Sequence, residues 1–71
     1  MHSIHLPIWH EAVGHLVEVS LQHGYIHATL AKVGTIIMPF NEDHYQRLQT
    51  LTGKRIAILR IDTGYVVAEA V

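Results

Sequence analysis

From Arg55 to Ile61 the chain carries Ile56, Ala57, Ile58, Leu59 and Ile61, apolar at odd and even positions alike and interrupted only by Arg60. A strand buried on both faces has this near-continuous pattern, whereas a half-exposed strand alternates. Asp62-Thr63-Gly64 follows as a turn, because Asp favours turns and Gly accepts positive φ. Tyr65 to Val71 then returns as a β-branched and aromatic run. This final hairpin is taken as the structural centre of the chain.

The pattern upstream is less continuous. Val13 to Gln22 alternates as a strand, with Val13, Val17, Val19 and Leu21 on one face and Leu16 as the exception. His23-Gly24 reads as a two-residue turn. Tyr25 to Ala31 returns with Ile26, Ala28 and Leu30 on the core face, and Tyr25, His27 and Thr29 on the other. After Lys32-Val33-Gly34, a third strand from Thr35 to Phe40 ends at Pro39, which cannot donate to a ladder. Asn41 is a favourable N-cap, and Glu42 and Asp43 suit the positive end of a helix dipole. The helix extends to about Leu51, with Tyr45, Leu48 and Leu51 on one stripe and Gly53 as the left-handed residue beyond it. Met1 to Glu11 has no clear period and reads as an extended arm anchored in the core by Trp9.

The predicted order is thus β-β-β-α-β-β in one small domain over 1–71, with 1–11 as an N-terminal arm. This order resembles the OB-fold, a partly open five-stranded barrel, and implies a mainly-β small barrel with one helix between strands 3 and 4. Two local resemblances offer alternatives. LVEVSLQHGYIHATL, Leu16 to Leu30, is similar to the first hairpin of Sm-like and SH3-like barrels. Gly34 to Glu69 is similar to the swapped-hairpin transcription regulators of the AbrB type, in G-T-I-I-M-P, a helix, Gly53 and a hairpin. Phe40, Asn41, Glu42 and Asp43 stand where that family carries basic residues, so the likeness implies no DNA contact there.

Composition narrows the function classes. The chain has 71 residues, is 49% hydrophobic and only 15% charged, against about 25% charged in ordinary domains. Mean hydropathy is +0.22. A small domain this apolar is expected to hide surface against a partner, most simply a copy of itself, so a homodimer is expected. There is no Cys, which excludes disulfides and thiolate metal sites and fits a cytoplasmic setting. Apolar runs of about five residues are far short of the ~20 a membrane helix needs, and the opening MHSIHLPIW, without a basic or long apolar region, is not expected to act as a secretory signal.

Candidate chemistry is sparse. His10-Glu11-Ala12-Val13-Gly14-His15 echoes the zinc-protease H-E-x-x-H, but with one residue too many for two ligands on one helical face. Asp62-Thr63-Gly64 has the letters of an aspartic-protease loop, yet Tyr65 follows where small residues are needed. The seven His show no pair at strong ligand spacing. Around the His23-Gly24 turn His15 is expected opposite Lys32, and His27 opposite Ser20. No nucleophile–base pair, phosphate loop or paired carboxylates stand out, so neither enzyme nor cofactor is expected. The candidate surface for single-stranded nucleic acid is Tyr25, His27, Lys32, Lys54, Arg55, Arg60 and Tyr65, combining stacking rings with cations. With five Lys and Arg and a net charge of −1, such binding is expected to be weak. A protein-interaction or oligomerisation module with no nucleic-acid role is the alternative.

Overall fold

In the computed structural model, which describes residues 3–70, the chain runs as β1 (Ser3–Ile4), β2 (Glu11–Gln22), β3 (Tyr25–Leu30), β4 (Gly34–Pro39), α1 (Glu42–Leu51), β5 (Arg55–Ile61) and β6 (Gly64–Glu69). The six strands form one sheet in the order β1-β4-β3-β2-β5-β6. Among the described residues only β1 and β4 pair in parallel. The sheet is open: among the described residues no ladder joins β1 to β6, so the expected barrel is not closed. His2 and Val71 lie outside the described residues.

The organising strand is β2, not the final hairpin. Its first part, Glu11 to His15, pairs with β5, and its second, from Leu16 to Gln22, pairs with β3. A register shift between Leu16 and Glu18 joins the two parts. A bulge places an extra residue there, so that side-chain parity changes across it. Ala12 and Leu16 point into the core before the shift, and Val19 packs against the core after it. The expected shared face of Val13, Val17, Val19 and Leu21 is therefore split, and Val17 is 58% exposed. The bulge also moves His15, whose carbonyl accepts from the Ala31 amide at 2.8 Å instead of lying opposite Lys32. Ser20 and His27 are paired as expected.

The turns follow their residues. His23 and Gly24 have φ of 51° and 79°, the pattern of a type I′ hairpin turn. At the last hairpin Ile61 pairs with Gly64, which leaves Asp62-Thr63 as a two-residue loop instead of a three-residue one. The helix begins where Asn41 Oδ1 accepts from the His44 amide at 3.1 Å. Phe40 and Tyr45 flank this cap with ring centroids 5.9 Å apart, an apolar contact that fixes the entry of the chain into the helix. Beyond the helix Thr52 has φ −57° and ψ 131°, Gly53 has φ 91°, and the Lys54 amide donates to the Leu51 carbonyl at 3.0 Å. That is a type II turn, whose third residue requires positive φ.

A single core joins Leu16, Ile26, Leu30, Ile36, Met38, Ile56 and Ile58 of the sheet to Leu48 and Leu51 of the helix. Fully burying each such aliphatic side chain contributes about 1.5–3 kcal/mol. The anchor of the N-terminal arm is Leu6, 5% exposed, and not Trp9, which is 65% exposed. Trp9 occupies a turn in which the His10 amide donates to the Pro7 carbonyl at 3.1 Å. Its φ of 66° directs it away from the packing an extended arm would have given it.

Candidate interaction surface

Strand alternation divides β5 into two faces. Ile56 and Ile58 are buried, whereas Ala57, Leu59 and Ile61 are only half-buried on the outer side. The expectation that this strand is covered on both faces is met on one face alone within the chain. Residues paired across a ladder share a face, so the outer side can be read in rows. Val13, Ala57 and Ala68 form one row, and Glu11, Leu59 and Val66 form the next. On the other side of the Ala57 row, His15 pairs with Arg55, and Ala70 joins through its amide to the Arg55 carbonyl at 2.9 Å. The result is an apolar patch three strands wide, with Val66 44% exposed.

The seven residues expected to meet nucleic acid do not converge. Tyr25 and His27 share the outer face of β3 with their ladder partners Gln22, Ser20, Pro39 and Ile37, none of them cationic. Arg60 turns inward, where Nη1 donates to the Leu6 carbonyl at 2.8 Å. Its guanidinium lies 5.8 Å from the centroid of the Tyr65 ring, which packs against the core. Arg60 and Tyr65 therefore hold the arm to the sheet. Lys32, Lys54 and Arg55 do not form one surface either: Lys54 lines a cleft beside α1, whereas Arg55 pairs with His15 on the outer face. Lys32 follows Ala31, whose amide donates to His15, and the Lys54 carbonyl accepts from the Leu16 amide at 2.9 Å. With His15 beside Arg55 and Lys54 on the helix side, these cations lie on opposite faces of this end of the sheet.

A concavity elsewhere is an open cleft of about 410 Å³ lined by Gln46, Arg47, Thr50, Leu51, Lys54 and Glu69. Two of its side chains are committed to structure. Arg47 Nε donates to the Val67 carbonyl at 2.8 Å, and the Thr50 hydroxyl donates to the Gln46 carbonyl at 3.0 Å. Among the described residues no group of three or more His, Asp or Glu is placed to hold a metal ion. No helix among them is long and apolar enough to cross a membrane. These features define a mainly-β, open-sheet protein with a single helix. Compared with known proteins, the chain matches no family, no curated protein and no solved structure.

What sequence reasoning missed is the share of β2 in the patch. Ala57, Leu59 and Ile61 could be read as outward-facing alternates of Ile56 and Ile58. The contributions of Val13 and Glu11 depended on knowing that β2 lies next to β5.

Proposed function

We propose that this chain is a non-enzymatic interaction module that associates with a second copy of itself through the outer face of β2, β5 and β6. The observation that carries this reading is the contiguous apolar patch of Val13, Ala57, Ala68, Leu59 and Val66. A patch of this kind on a small domain marks a binding surface more often than bare exterior. The low charged fraction of 15% supports the same reading. The patch is not needed to complete the monomer: the accessible surface of 4488 Å² is close to the ~4,450 Å² expected for a folded chain of this mass. The order from β2 onward, three strands, a helix and two strands, supports an OB-type plan that is left open between β1 and β6.

Val66→Lys tests the reading. Val66 is 44% exposed, so the lysine should change monomer stability by no more than about 0.5 kcal/mol while placing a charge in the patch. In sedimentation velocity the parent chain is expected as a dimer and the variant as a monomer with an unchanged circular dichroism spectrum. A variant that sediments like the parent would contradict the assignment of this face.

A second reading rests on the outer-face pair of His15 and Arg55: weak, sequence-independent binding of single-stranded nucleic acid at that end of the sheet. The expected outcome is oligonucleotide affinity whose logarithm falls linearly with the logarithm of salt concentration. No binding at low salt near neutral pH rules it out.

A further inference from the structure

The proposed association fixes no arrangement by itself, but the charges around the patch do. Its three ladder rows run in sequence across β2, β5 and β6. The first holds His15, Arg55 and Ala70, the second Val13, Ala57 and Ala68, and the third Glu11, Leu59 and Val66. Only the outer two rows carry titratable side chains. The cation of Arg55 is in the first, and the carboxylate of Glu11 is in the third. The middle row is apolar and includes two alanines, which lets a second sheet approach closely at that line.

This pattern is self-complementary under one operation. A two-fold axis lying in the interface along the middle row stacks that row on its own copy and exchanges the first row with the third. We infer that two copies stack face to face with strands antiparallel, so that Glu11 of each chain lies over the His15–Arg55 pair of the other. This inference rests on the self-association proposed above and adds the register. An axis parallel to the strands would instead set Glu11 over the partner's β6, with no opposite charge to meet. Packed sheets lie about 10 Å apart with strand directions within about 30° of each other, which leaves side chains at the rim of so small a patch able to meet. Glu11 and Arg55 are both exposed in the single chain, so each is free to take a partner. At three residues in each of three rows the patch is smaller than the roughly 20–30 residues a side of a standard interface, which points to a weak, reversible dimer and not an obligate one. Opposite charges at its two ends set the register more than they raise the affinity.

The test exchanges the charges. Glu11→Arg alone and Arg55→Glu alone each place like charges at both ends of the homodimer, and each is expected to weaken association at least about tenfold. Mixing the two variants in equal amounts creates a heterodimer in which both contacts are opposite again, and it should recover association to within a few-fold of the parent. The parent, without any substitution, should also associate more weakly at high salt than at low salt. Fluorescence-labelled chains in a titration read all four. If the parent dimerises but the mixture binds no better than either variant, or if added salt leaves the parent unaffected, this register is wrong while self-association stands. If the parent is a monomer throughout, the register and the association fail together.

Discussion

Gly53 and Trp9 show how much a single dihedral decides. Gly53 has φ 91° and nothing within 4 Å of where a Cβ would be, so its requirement is conformational and not steric. A β-branched side chain in that region costs about 1–2 kcal/mol. Gly53→Val is therefore expected to lower the free energy of urea unfolding by about that amount. A variant as stable as the parent would mean that the turn after the helix adapts. Trp9 is the opposite case, because a bulky residue takes positive φ where Gly is the usual choice. Backbone bonds hold it there: its amide donates to the Arg60 carbonyl at 2.6 Å, and the Arg60 amide donates to the His10 carbonyl at 3.0 Å. The left-handed role of Gly53 could be read from its place after a helical stripe. That of Trp9 could not, because it follows from tertiary hydrogen bonds to β5 and not from local preference.

Among the elements, those set by local chemistry were legible and those set by pairing were not. The helix with its Asn41 cap, the His23-Gly24 hairpin and the final hairpin follow from turn residues and periodicity. The bulge in β2 was visible only as Leu16 breaking the alternation, since a register shift is fixed by the neighbouring strand. The site residues divided in the same way. Arg60 and Tyr65 share a pair with the aromatic–cation character of a binding surface, but strand alternation turns both inward. The contact between α1 and β6 is also tertiary. Strand β6 is an edge, and Arg47 reaches from the helix to take its Val67 carbonyl at 2.8 Å. Covering an edge in this way limits unwanted strand pairing. Arg47→Ala should lower stability by about 1 kcal/mol through the lost hydrogen bond and increase aggregation on heating. Unchanged unfolding and light scattering would show that this contact guards nothing.

For the whole molecule, the central claim is that a self-contained fold leaves one of its two sheet faces for a copy of itself. The sequence signalled the surplus through its apolar content, its low charge and the two apolar faces of Arg55 to Ile61, but not the share of β2, which supplies Val13 and Glu11 from more than forty residues before their ladder partners Ala57 and Leu59. The core is complete without that face, so association should be reversible and follow mass action instead of being coupled to folding. Sedimentation equilibrium of the unmodified chain over a concentration series from about 1 to 100 μM, the range in which a weak dimer dissociates, checks this. The apparent mass is expected to rise with concentration toward twice the 8.0 kDa of one chain. A constant mass of 8.0 kDa across the whole series would contradict it.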